Sequence, residues 1–92
     1  MWKIRFTKRA DKDFANLGQD IRKRIDKAIY SKLLVEPDSF LIPLVGDMIG
    51  LYKFRVGNYR LLCTKEEEIV TINVINTIKL TYIQAISLEL SL

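Results

Sequence analysis

The sequence predicts a single α+β domain of order β-α-α-β-β-β followed by a C-terminal tail or helix. Three observations carry this reading. Trp2, Ile4 and Phe6 alternate with Lys3, Arg5 and Thr7, the period of a half-buried strand. Ile21, Ile25, Ala28 and Ile29 recur at i, i+4, i+7 and i+8, an apolar helical stripe. Gly57-Asn58 separates two strand-like runs and signals a two-residue hairpin loop. A chain of 92 residues fits one domain over 1–92 and buries roughly two-thirds of its unfolded surface around one modest core.

After the first strand, Thr7 caps a helix running to about Leu17, with Ala10, Phe14 and Leu17 on one side. Gly18 suits the left-handed residue that ends it. Asp20 caps a second helix, in which Arg22, Lys23, Arg24 and Lys27 fall outside the apolar stripe. That helix ends near Leu34, because Pro37 disfavours helix at Glu36. Residues 37–50 read as a loop with two prolines and two glycines. Its Phe40, Leu41, Ile42, Leu44 and Val45 predict that parts of it cover the core. Residues 51–56 and 59–64 form the hairpin strands, Lys65-Glu66-Glu67-Glu68 a charged turn, and 69–75 a strand rich in β-branched residues. In 82–92, Ile83, Ile86 and Leu90 have helical spacing while Leu88, Leu90 and Leu92 alternate; helix is the preferred reading.

Composition narrows the chemistry. The chain has no histidine, so histidine-dependent hydrolases, zincins and Ser-His-Asp triads are excluded. Any catalysis rests on Lys, Arg, Tyr, Asp or Glu. The single cysteine, Cys63, forms no internal disulfide and no Cys-based zinc site, and reads as a small core residue. No metal site or cofactor is expected; Glu66-Glu67-Glu68 reads as a solvated turn. Charges interrupt every apolar stretch, so no membrane span is expected. The N-terminus lacks the apolar run of a secretory signal, and the cytoplasm is the expected compartment. Lys and Arg exceed Asp and Glu by 15 to 11. Residues 1–32 carry +6 and residues 33–92 carry −2. A basic first third points to a polyanionic partner, or only to solvated helix surfaces.

The hairpin carries the sharpest inference. With Gly57-Asn58 as the loop, Val56 pairs with Tyr59 and Arg55 faces Arg60. Lys53, Arg55, Arg60 and Leu62 then share one sheet face; Tyr52, Phe54, Val56, Tyr59, Leu61 and Cys63 share the core face. Two arginines directly opposite destabilise a sheet by a few tenths of a kcal/mol or more. No carboxylate lies between Asp47 and Lys65 to relieve them locally. Such conflicts are expected at functional sites, and a Lys53–Arg55–Arg60 cluster suits phosphate. The alternative is a solvated face with a distant acidic partner.

The run Gly50-Leu51-Tyr52-Lys53-Phe54-Arg55-Val56-Gly57-Asn58-Tyr59-Arg60-Leu61-Leu62 resembles the core of the RelE/ParE toxin superfamily. Ile4-Arg5-Phe6-Thr7-Lys8-Arg9-Ala10-Asp11-Lys12-Asp13-Phe14-Ala15-Asn16-Leu17 resembles its first strand and helix, and the likeness extends over about residues 2–82. It implies two N-terminal helices packed on a twisted, mostly antiparallel sheet. It also implies the toxin of a type II toxin–antitoxin system, with a RelB-like cognate antitoxin. RelE-type toxins enter the ribosome and cleave mRNA without a metal, the message's own 2′-hydroxyl attacking the adjacent phosphate. By position, the resemblance assigns Lys53, Arg55, Arg60 and Tyr82 to catalysis. Arg22, Lys23, Arg24, Lys27 and Lys79 are the candidate RNA-binding residues.

The departure is C-terminal. Many relatives carry a Gly-His-Arg stretch where this chain has Asn76-Thr77-Ile78, and Lys79 is the nearest substitute cation, one position on. Tyr82 stays in register and is a candidate either to stack on a base or to anchor the tail. The loss implies a weakened ribonuclease. It leaves two alternatives open: a ParE-like inhibitor of DNA gyrase, or a degenerate toxin that only binds its antitoxin.

Overall fold

In a computed structural model, residues 2–77 are described. A five-stranded sheet has the order β1-β5-β4-β3-β2. Strand β1 is Lys3–Phe6, followed by helices α1 (Lys8–Ala15) and α2 (Gln19–Ala28). A π-helical turn (Ile29–Leu33) extends α2, and a one-turn helix α3 (Pro37–Phe40) leads into β2 (Ile42–Pro43). A 3₁₀ turn (Gly46–Met48) precedes β3 (Tyr52–Val56), β4 (Tyr59–Glu66) and β5 (Ile69–Thr77). The sheet is antiparallel except that β1 runs parallel to β5. This is the α+β architecture the sequence predicts.

The helices cover one sheet face. Ala10 of α1, Ile25 of α2, and Ile29 and Leu33 of the π turn pack against Phe54, Val56, Leu61, Cys63, Val70, Ile72 and Ile75. Burying each of the larger aliphatic chains stabilises the fold by about 1.5–3 kcal/mol. Trp2, Ile4 and Phe6 complete the edge, and Phe6 meets the Phe14 ring edge-on at 5.8 Å. Thr7 does cap α1: its Oγ1 accepts from Ala10 N at 3.1 Å. Burial pushes the Cys63 thiol up to about 12, because a thiolate there would lie in an apolar core.

Several expectations need correction. Helix α1 stops at Ala15, and Gly18 is extended (φ −65°, ψ 156°) rather than left-handed. It is the N-cap of α2, so Asp20 lies in the first turn, where a carboxylate still favours the helix dipole. The loop 37–50 contains α3, β2 and the 3₁₀ turn. Leu41 joins the main core, and Leu44 and Met48 cover Leu62 and Val74 on the opposite sheet face. Phe40, Ile42 and Val45 remain exposed. Strand β4 runs through Glu66, leaving Glu67-Glu68 as the turn, with Glu67 left-handed at φ 55°. Lys65 leaves the charged turn altogether: it pairs with Asp38 of α3 and lies 5.2 Å from the Tyr52 ring. That hydrogen bond to Asp38 raises the Lys65 pKa.

Strand β5 carries a bulge. Leu62 pairs with Val74 but Cys63 pairs with Ile72, leaving Asn73 as the extra residue. The bulge switches side-chain parity, so Val70, Ile72 and Ile75 all reach the helical core while Val74 faces away. Helix α1 fastens it: Thr7 Oγ1 donates to Asn73 O at 2.9 Å, and the Asp13 carboxylate accepts from Ile75 N at 3.0 Å.

Candidate functional site

The two-residue hairpin forms as predicted. Gly57 has φ +58°, and Asn58 is not left-handed, which is the type II′ pattern with glycine first. The register follows: Val56 opposite Tyr59, Arg55 opposite Arg60, Lys53 opposite Leu62. Arg60 in turn lies opposite Asn76 of β5, and Lys53 opposite Ile42 of β2. On the face away from the helices, Arg55, Arg60 and Asn76 therefore form one row across three strands. Ile42, Lys53, Leu62 and Val74 form the next. The cluster of Leu62 and Val74 under Leu44, Met48 and Leu51 gives this cationic face an apolar neighbour. Arg55 is exposed, whereas Lys53 and Arg60 are half-buried.

Arg55 reaches beyond that face. Its Nε donates to Gly57 O at 3.1 Å, which holds the guanidinium at the hairpin tip. There a groove of about 320 Å³ opens between the hairpin and the helical side of the molecule. Arg24, Lys27 and Lys32 line it together with Arg55, over Ala28, Ser31, Val56 and Gly57. Preplaced cations on a sheet face and in a groove beside it suit an extended anion such as a phosphodiester chain.

A family model for the ParE toxin of type II toxin-antitoxin systems, parDE, matches residues 4–78. The chain belongs to that family. The toxin also resembles solved structures of the RelE/ParE superfamily. Against the toxin-antitoxin complex RelBE2 of Mycobacterium tuberculosis, identity is 27% and the TM-score 0.78, covering 83% of this chain and 96% of the other. Against the isolated RelE toxin of E. coli, identity is 20% and the TM-score 0.70, covering both chains fully (100%). Against the archaeal RelE-RelB complex of Pyrococcus horikoshii OT3, identity is 20% and the TM-score 0.64, covering 83% and 93%. No curated protein matches the chain. No described helix is long and apolar enough to cross a membrane.

Of the toxin's predicted site residues, Lys53, Arg55 and Arg60 share one face. Tyr82 and Lys79 lie outside the described residues. The four helix cations divide. Arg24 and Lys27 line the groove, whereas Arg22 turns back to donate to Ala15 O at 3.4 Å, and Lys23 is exposed away from the groove lining. Sequence reasoning missed Lys32. In a regular α-helix it would lie about 140° round from Lys27. The π turn, closed by Leu34 N donating to Ile29 O at 2.9 Å, widens the coil and brings Lys32 to the same groove. A hint was Ser31, whose Oγ bonds back to Lys27 O at 2.7 Å, a contact that bends helices. In the sequence Asn76 stands out only as a departure from the family pattern. Its Nδ2 and Oδ1 are buried beside Arg60 with no hydrogen-bond partner among the described residues.

Proposed function

We propose that this toxin cleaves mRNA on the ribosome and needs no metal ion to do so. The observation that carries the reading is the directly opposed pair Arg55–Arg60, with Lys53 on the same face. The RNA 2′-hydroxyl attacks the adjacent phosphorus, forming the O2′–P bond and breaking the P–O5′ bond. The products are a 2′,3′-cyclic phosphate and a free 5′-hydroxyl. Lys53, Arg55 and Arg60 stabilise the charge that develops on the phosphorane oxygens, worth on the order of 3 kcal/mol for one well-placed group. Tyr82 is proposed to join them. The toxin is held inactive by a RelB-like antitoxin, a partner supported by the RelBE complexes it resembles.

The test is primer extension on mRNA from translating ribosomes incubated with wild type and with Arg60→Ala. Wild type should give discrete cleavage products, and the variant should cut at least about a hundredfold more slowly. A second reading, inhibition of DNA gyrase, is favoured by the ParE family match and by Asn76-Thr77-Ile78. Uncut mRNA together with loss of gyrase supercoiling would establish it instead.

A further inference from the structure

The groove at the hairpin tip gathers like charges in a way that opposes folding. Among the described residues, none of Arg24, Lys27, Lys32 and Arg55 has a carboxylate partner. Lys32 instead lies 5.5 Å from the Phe40 ring, and Arg55 is tied to a backbone carbonyl. Two guanidinium groups converge on one glycine. Arg55 Nε bonds Gly57 O, and a Cβ on Gly57 would stand 3.2 Å from Arg24 Nη1. Ala28 and Val56 add apolar lining, so an anion held there would be partly desolvated and more strongly attracted. A volume of about 320 Å³ has room for a nucleotide-sized fragment.

The geometry points to a second phosphate subsite. The groove holds a backbone phosphate of the same RNA strand whose scissile phosphate lies on the Lys53–Arg55–Arg60 face. Arg55 is shared between the two positions, which makes the cationic track continuous from sheet to helix. This rests on the reading of the toxin as an RNA-cleaving enzyme. Guanidinium forks match phosphate oxygens in pairs, and the two lysines add point charge without base preference. The subsite therefore positions the strand and does not read its sequence.

The test uses fluorescence anisotropy with an end-labelled single-stranded RNA whose riboses are 2′-O-methylated and so cannot be cut. Wild type should bind at low salt. Lys27→Gln/Lys32→Gln should bind several-fold more weakly, with a melting temperature no lower than that of wild type. Its slope of log affinity against log salt should flatten by about 1.4, two contacts at ~0.7 each. No measurable wild-type binding, or an unchanged slope in the double variant, would overturn the subsite. So would full RNA affinity combined with lost binding of a polyglutamate peptide, which would assign the groove to an acidic protein. Failure of the enzymatic reading shows separately: wild type would leave ribosome-bound mRNA intact while the slope still flattened in the double variant.

Discussion

At the residue scale, Arg60 and Cys63 lie three positions apart on β4 and face opposite environments. Arg60 faces Arg55 across the ladder, a like-charge pair that costs the sheet a few tenths of a kcal/mol. Arg60→Ala should therefore leave urea-unfolding stability within about 0.5 kcal/mol of wild type while abolishing growth arrest in a susceptible host. A large fall in the unfolding midpoint would make Arg60 a structural residue and remove it from the site. Cys63 is fully buried, and its thiol is pushed from 9.0 up to about 12. A raised folded pKa means that its contribution is intact below pH 9.0. It is lost as the unfolded thiol ionises and the folded one does not, through the window up to about 12. Wild type should be more stable than Cys63→Ala at pH 8. That advantage should shrink by about 1.4 kcal/mol per pH unit above pH 9. A constant difference across pH 8–11, measured by urea unfolding, would mean that the thiol reaches solvent in the folded state.

At the element scale, the two turns of the β3-β4-β5 meander show how local chemistry sets register. Gly57 supplies the positive φ that the first position of its hairpin needs at no steric cost, and Glu67 takes a positive φ with a side chain (φ 55°). Glu67→Gly should raise stability by about 0.5–1 kcal/mol, and Gly57→Ala should lower it by about 1 kcal/mol, both read from urea midpoints at constant m. Strand β5 was less legible. A strict period of two sets Val70, Ile72 and Val74 against Thr71, Asn73 and Ile75, which puts Ile75 on the wrong face. Only the bulge at Asn73 returns it to the core, and the groups that secure the bulge, Thr7 and Asp13, lie more than sixty residues away in the chain. The hairpin and its opposed arginines could be read from sequence because a two-residue loop leaves one register. The groove could not, because Lys32 enters it through a π turn that helical periodicity does not encode. Asp13 gives this a test. Asp13→Ala strands Ile75 N without its acceptor and should cost about 1–3 kcal/mol, with hydrogen exchange accelerated first at residues 73–76.

At the scale of the whole molecule, charge is segregated along β4. Its Tyr59 end meets the hairpin tip with Arg55 and the groove; its other end closes on Glu66 and the turn Glu67-Glu68. The seven residue steps from Tyr59 to Glu66 separate the two ends by about 23 Å. The molecule measures 32 Å along its longest axis, so this is most of its length. The two ends of β4 therefore carry side-chain clusters of opposite sign, and the positive one carries the proposed RNA track. Whether the acidic end affects binding depends on screening. The Debye length is about 8 Å at physiological salt and about 30 Å near 10 mM. Replacing Glu66, Glu67 and Glu68 together by Gln should strengthen binding of the 2′-O-methyl RNA near 10 mM salt, where the two ends still sense each other. Near 150 mM the affinity should stay within about twofold of wild type. Neutralising Arg24 and Lys27 should weaken binding at both, since in the proposed track those charges meet phosphate directly. The comparison is a titration of three proteins at two salt concentrations. If the triple Gln variant gains as much affinity near 150 mM as near 10 mM, the acidic turn touches the RNA and the track does not end at the hairpin.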